Sequence, residues 1–317
     1  MPKTDPQILT QAPMNWPPLT SPHPQAMASL WLWGTLLVLT LVWDASGADL
    51  RAMTWLGGPQ GFAWRDLWWL SNVLHTGAKQ LAVLIYMGVL VMTVWPRGIW
   101  RQLPRSHRLE IAMGITLSLL VVTAIKRISL TSCPWDLEAF GGTARYVSHW
   151  TWGVSDGGGG SCFPGGHASS AFAFMALSLP WLMSMDKDQQ RLGRAMTAAI
   201  LLIGLVLGLA QTLRGAHYPS HTAWTALFCA ATAWANHVFF AQRRKRRSQR
   251  SGIECRASSA SQRRQWRLRR TLMHFQSGVW LNRVKVRASN IAKESGDVKN
   301  SVANCSGWPS AEIIACR

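Results

Sequence analysis

Gly157–His167 reads GGGGSCFPGGH and runs straight into residues 168–183, ASSAFAFMALSLPWLM. A glycine-rich turn here hands a histidine to the first turn of a long apolar helix. Glycine lets the backbone turn tightly and approach a ligand, and the free N–H groups of a helix start favour an anion. Alone, such a stretch also describes an ordinary turn. It gains weight from two others, each beside an apolar run: Lys126–Leu137 (KRISLTSCPWDL) and Gln211–His221 (QTLRGAHYPSH). The apolar run after His167 is one of six, at 28–45, 79–95, 109–125, 168–185, 195–213 and 221–241. A span takes about 20 mostly apolar residues, and six such runs are hard to bury in a water-soluble core. Nineteen tryptophans against three tyrosines fit amphipathic rings at membrane–water boundaries. The expected fold is therefore all-α: a polytopic membrane protein with six transmembrane helices in a bundle and its functional loops on one face.

The charge divides the chain. Residues 242–317 hold 18 of the 33 Lys and Arg and 4 of the 14 Asp and Glu, so they contribute +14 of the net +19. Residues 1–27 are rich in proline and polar residues (MPKTDPQ, NWPPLTSPHP), which reads as a flexible leader unable to build a core. Three domains follow: leader 1–27, a membrane domain 28–241, and a basic, unstructured cytoplasmic tail 242–317. The tail suits anionic headgroups; with few aromatics it does not suit nucleic acid. The first apolar run sits late and lacks a basic flank, so it reads as a retained span and not a secretory signal.

Between the first two spans, GFAWRDLWWLSNVLHTGAK has near-helical apolar spacing and suits an interfacial helix lying on the membrane. His75 within it reads as a surface or packing residue. Arg97, Arg101, Arg105 and Arg108 follow the second span; Lys187, Arg191 and Arg194 follow the fourth; Arg243–Arg247 follow the sixth. These basic connections alternate with those carrying the glycine- and histidine-rich stretches. By the positive-inside rule, both termini are cytoplasmic and all three stretches lie on the outer face. Cys133 and Cys162 then share one outer loop in an oxidising compartment and are expected to pair as a disulfide. His149 reads as a rim residue of that loop, and His107 and His237 as packing or interfacial.

The three stretches contribute Lys126, Arg127, Arg214, His167, His217 and His221 to one membrane face. Cationic donors beside a glycine turn suit a multiply charged anion, most simply phosphate. Histidines add a nucleophile and a proton shuttle that work near neutral pH. The same histidines with the two outer cysteines are also a zinc-ligand set, although neighbouring Lys and Arg repel a cation.

The residues resemble the type-2 phosphatidic acid phosphatase superfamily, whose active site is shared with vanadium-dependent haloperoxidases. That family carries K-x6-R-P, P-S-G-H and S-R-x5-H-x3-D. Lys126 and Pro134 keep the first spacing, with Cys133 in place of arginine; Pro164, Gly165, Gly166 and His167 match the second, with glycine for serine. His217 and His221 keep the third spacing, with His221 in place of aspartate and Ala210 and Gln211 in place of Ser and Arg. The resemblance covers residues 79–241, and CPWDL, P-x-G-H and GAH-x-x-SH together are similar to a bacterial variant. Arg214, one turn beyond Gln211 on the same helix face, is placed to supply the missing arginine; Arg127 is a second candidate. Asp136 and Asp156 are candidates for the missing negative charge.

The resemblance implies a metal-independent lipid phosphate phosphatase of a bacterial inner membrane, its site periplasmic, that cleaves a phosphomonoester or pyrophosphate through a phosphohistidine. It implies His217 as nucleophile, His167 as general acid and base, and His221 as the group orienting His217. Lys126, Arg214, Arg127, Gln211 and the backbone at Gly165 and Gly166 would hold phosphate. No cofactor or metal is implied, and the partners are a phosphorylated membrane lipid and the bilayer. Alternatives are a phosphotransferase of the same fold acting on lipid A or undecaprenyl pyrophosphate, a non-catalytic lipid-phosphate binder, and, ranked last, a transporter.

Overall fold

The computed structural model describes residues 24–291, with side chains at 31–250, 261–263, 265 and 266. The leader up to residue 23, and Cys305 and Cys316 of the tail, lie outside the described residues.

The described chain is mostly helical. Helix α1 (Pro24–Ala45) opens on proline, whose fixed φ suits a first helical position. After Gly47 the short α2 (Ala48–Thr54) leaves at an angle of 70°. A two-residue hairpin, β1 (Gly57–Gly58) with β2 (Gly61–Phe62), follows in antiparallel register. A π-helical segment Trp69–Gly77 then runs into α3 (Ala78–Val94), and α4 is Arg105–Ile128. Two short helices, α5 (Ser169–Phe172) and α6 (Met175–Leu182), precede α7 (Lys187–Leu213) and α8 (Pro219–Ile291). The side chain of Asp186 caps α7 by accepting from the N–H groups of Asp188 and Gln189. Two compact units divide between Lys245 and Arg246. Helix α8 is helical as far as Ile291, where composition led to the expectation of an unstructured tail.

Among the described residues, three helical segments are long and apolar enough to cross a membrane: Trp69–Val94, Arg105–Ile128 and Lys187–Leu213. The bent pair of α1 and α2 makes a fourth if counted as one span. The segment expected to lie flat on the membrane instead continues into α3, as one 26-residue helix. The fourth apolar run is broken at Ala173–Phe174, with Pro180 inside α6, so it is a short helix, Ser169–Leu182. Its apolarity has a packing cause. Phe172, Met175, Ala176, Ser178, Pro180 and Trp181 are buried from several sides, between α4 and α7, and a helix wrapped by protein is apolar all round.

Close approach comes from small residues. A Cβ on Gly204 would stand 2.1 Å from the Phe172 ring, and one on Gly208 would stand 2.2 Å from Thr222. Gly204 and Gly208 are four apart on α7, the spacing by which membrane helices approach closely. Outward, α3 and α7 each expose large apolar side chains, Leu81, Leu84, Ile85 and Val91 on α3 and Leu202 and Leu205 on α7, the kind of surface a bilayer covers. The buried core centres on Ile111, Ile115, Val122, Phe172, Met175 and Cys229.

Candidate active site

The three sequence stretches meet at one end of the bundle, tied by backbone bonds. The N–H of Ser161 donates to the Ser129 carbonyl and that of Cys162 to Thr131; Trp135 N–H donates to Gly215, and Gly165 N–H to His221. Cys133 and Cys162 form a disulfide 29 residues apart in sequence. Closing a loop of that length contributes roughly 3–4 kcal/mol by restricting the unfolded chain. Helix α7 ends where Gly215 takes φ +76°, and its carbonyls are met by the Gly215 and Ala216 N–H groups. That left-handed turn, which glycine adopts freely, delivers His217 into the interior.

Around the turn at Gly165–His167 the side chains converge. The Lys126 ammonium lies 3.8 Å from where a Gly166 Cβ would stand, so the cation sits against the turn at ordinary contact distance. The His167 ring is 6.3 Å from that of His217, which is 5.9 Å from that of His221. His217 and His221 are buried. His221 Nδ1 is 3.1 Å from the Cys162 carbonyl and donates to it. His217 Nδ1 is 3.3 Å from Cys162 Sγ, a disulfide sulfur without hydrogen that can only accept. An Nδ1–H aimed there leaves the imidazole lone pair on Nε2.

Gln211, buried, accepts at Oε1 from Arg214 Nη1 at 3.3 Å, and Arg214 Nε donates to the Arg65 carbonyl at 2.8 Å. Among the described residues, four polar atoms of this end are buried without a hydrogen-bond partner: His167 Nδ1, Gln211 Nε2, Tyr218 Oη and His221 Nε2. Such groups are costly unless a ligand or water meets them. Burial, then the charges of His75, Lys126, Lys79 and Arg214, push the His167 pKa down to about 3. Burial also holds His217 well below its ordinary range, followed by the Lys126 charge. Both rings are therefore neutral at pH 7, in an electropositive surrounding.

Other candidates lie elsewhere or are otherwise engaged. Arg127 is exposed, one residue and about 100° around α4 from Lys126. Gly165 has its N–H committed to His221, so the backbone donors at the turn are those of Gly166 and His167. Asp156 accepts from Ser132 and from the Gly158 N–H, and Asp136 accepts from the Cys133 N–H. Among the described residues neither carboxylate bonds His217. Cys133, Cys162 and His217 present ligand atoms within 4.8 Å of one another, but sulfurs joined in a disulfide are not thiolates, and zinc needs thiolates.

Residues 108–245 match the PAP2 superfamily. Neither a curated protein nor a solved structure matches the chain. The family segment supplies Lys126, His167, Gln211, Arg214, His217 and His221, but three further groups reach the site from outside it. His75, on the π-helical segment, stacks on His167 with ring centroids 3.9 Å apart. Asp49 of α2 accepts from the Ser220 N–H at 3.1 Å and from its hydroxyl, fixing the residue before His221. Asp44 accepts from His149 Nε2, Trp150 Nε1 and Trp224 Nε1 at 3.2, 3.0 and 2.7 Å. His149, read from sequence as a rim residue, is thereby locked against Phe163, with ring centroids 4.3 Å apart. Beside this cluster, His149 and Phe163 line a cleft together with Ile125, Ile128 and Leu130.

Proposed function

We propose that this PAP2 protein is a metal-independent phosphatase of a membrane lipid bearing a phosphomonoester or pyrophosphate, working through a phosphohistidine. The observation that carries the reading is the convergence of Lys126, neutral buried histidines and unpartnered donors on the Gly165–His167 turn. The cleft with Ile125, Ile128, Leu130 and Phe163 beside it favours a substrate with an apolar tail. Six spans, with the site at the periplasmic face of a bacterial inner membrane and both termini cytoplasmic, complete the reading. The alternating basic connections support that orientation.

In this mechanism Lys126, Arg214, the Gln211 amide and the Gly166 and His167 N–H groups hold the phosphoryl oxygens and offset the charge that grows in the transition state. The bound anion raises the His167 pKa by placing negative charge beside the ring, so His167 enters the reaction protonated. His217 Nε2 attacks phosphorus in line; the bond to the leaving oxygen breaks, and that oxygen takes the His167 proton. His167, now neutral, accepts a proton from water as the water oxygen attacks phosphorus. The P–N bond breaks, and inorganic phosphate leaves. His221, bonded to the Cys162 carbonyl, stands where the family has a carboxylate and packs against His217.

Inorganic phosphate release by detergent-purified protein, from a panel of lipid phosphates with and without EDTA, tests this. Release should survive EDTA and vanish in His217→Ala. Near-normal release by that variant would overturn the nucleophile assignment. Turnover only with an added acceptor lipid would replace hydrolysis by phosphoryl transfer.

A further inference from the structure

His217 and His221 flank a short segment that a helix far away in sequence holds from outside. Asp49 and Met53 are the buried residues of α2, four apart and so on one face of that helix. Met53 shares a buried apolar cluster with Tyr218, the residue after His217. Asp49 Oδ1 accepts from the Ser220 N–H at 3.1 Å and from Trp43 Nε1 at 2.8 Å, and its Oδ2 accepts from the Ser220 hydroxyl. Ser220 is the second residue of α8, where a helix leaves its first N–H groups without partners of its own. The Asp49 carboxylate meets one of them, as a capping side chain would from within the chain. The bonds continue from there. His221 Nδ1 donates to the Cys162 carbonyl, and the His221 carbonyl accepts the Gly165 N–H. Asp49, the start of α8 and the stretch leading into the Gly165–His167 turn are thus joined in one series. The His217 imidazole has a disulfide sulfur at Nδ1, a weak partner, so its direction depends on how its backbone is held.

We propose that Asp49 is a positioning residue for phosphoryl transfer: by anchoring the first turn of α8 it fixes His217 and His221 against the Gly165–His167 turn. It acts through geometry and not through charge, since its carboxylate bonds Ser220 and Trp43 and neither histidine. The proposal rests on the phosphohistidine reading. It also places part of the machinery outside the segment 108–245 that matches the family. Asparagine at position 49 separates geometry from charge. Its amide oxygen can accept from the Ser220 N–H and from Trp43, and its NH2 can donate to the Ser220 hydroxyl oxygen.

The test compares Asp49→Ala, Asp49→Asn, Ser220→Ala and the double variant Asp49→Ala with Ser220→Ala, as full chains in detergent. Readouts are phosphate release, thermal unfolding and amide hydrogen exchange. Asp49→Ala should lower kcat by about 10- to 100-fold with KM little changed, the cost of displacing reacting groups by about an ångström. Asp49→Asn should recover most of that loss. Ser220→Ala, which keeps the backbone bond, should lower kcat by roughly 2- to 10-fold. The double variant should be no worse than Asp49→Ala, because both substitutions cut one link. In the absence of substrate, Asp49→Ala should speed exchange at the Gly165 amide as well as at Ser220. Unchanged kcat with only a lowered unfolding temperature overturns the proposal. So do additive losses in the double variant, or an Asn variant as impaired as Ala. Should Asp49→Ala not fold, Ser220→Ala and Asp49→Asn still decide it: normal kcat in Ser220→Ala or a lasting loss in Asp49→Asn overturns it. If the unaltered chain releases no phosphate from any lipid, the phosphatase reading fails, and exchange at Gly165 still decides whether Asp49 holds the turn.

Discussion

The two ends of α4 carry buried polar chemistry of opposite kinds. At its first turns, Glu110 is buried with every charge answered. His237 Nδ1 and Arg244 Nη1 each lie 2.5 Å from its carboxylate, His107 Nδ1 lies 3.4 Å away, and its backbone carbonyl accepts from Asn236. At the other end, sixteen residues and about 24 Å along the helix, the Lys126 charge acts on His167 and His217, and among the described residues His167 Nδ1, Gln211 Nε2 and Tyr218 Oη are buried without a hydrogen-bond partner. A satisfied cluster fastens α8 to α4. An unsatisfied one is unfavourable until an anion enters, and that imbalance marks the site more sharply than the mere presence of histidines.

The largest effect should separate the two ends outright. His217→Ala should lower phosphate release on the order of 10⁴-fold, as removing a nucleophile does in other covalent enzymes, while leaving the unfolding temperature close to that of the unaltered chain. Glu110→Ala should do the converse. Removing one member of a buried charge cluster costs about 3 kcal/mol, seen as a fall of several degrees in thermal unfolding, with kcat/KM of the folded protein preserved. Activity loss in Glu110→Ala at temperatures where it remains folded would dissolve the contrast and couple the two ends.

His75 tests the boundary of the family segment. Its ring lies on His167, closer than any other ring pair of the site, yet it belongs to no family motif and precedes residue 108. His75→Ala should lower kcat by about 10-fold or more with KM little changed, the lower end of what positioning a proton shuttle contributes. His75→Phe keeps the stack without ring nitrogens. Activity restored by Phe assigns His75 a packing role; activity lost in both assigns the nitrogens to proton handling. Unchanged kcat in both variants would remove His75 from the site.

What the sequence revealed and what it hid have physical causes. Lys126, the P-x-G-H turn and the His217–His221 spacing were legible because each is local: a few residues on one turn or helix end carry the whole pattern. The Cys133–Cys162 pairing needed only a shared compartment. His75 was illegible because its significance arises from a contact spanning ninety-two residues and from a π-helical turn, which apolar periodicity at 3.6 residues does not report. The run at 168–185 shows its apolarity in the sequence but not its break: it folds as the short helix Ser169–Leu182 buried between α4 and α7, and burial by protein and burial by lipid select the same apolar residues. Helix α8 hides its length for the opposite reason, since past Lys245 it is helical without an apolar stripe. Arg214, named from its spacing as the candidate to replace the family's arginine at Gln211, lies bonded to that Gln211.

The smallest effect should come from the nearest neighbour of the site. Lys126 and Arg127 carry the same charge on adjacent residues at the last turn of α4; only Lys126 keeps the family spacing to Pro134, and the helix gives a physical reason for ranking them. Successive residues point about 100° apart, which turns Lys126 toward the Gly166 recess and leaves Arg127 exposed. A cation in water near a site is screened within about 8–10 Å by salt, whereas one held beside the turn meets the phosphoryl oxygens directly. Lys126→Ala should therefore lower kcat/KM by about 10²-fold or more, and Arg127→Ala by less than about twofold at physiological salt. A loss in Arg127→Ala that vanishes at high ionic strength would make it a steering charge for an anionic headgroup. A large loss that persists there would mean that Arg127 turns inward to the phosphate, and that the end of α4 rearranges when substrate binds.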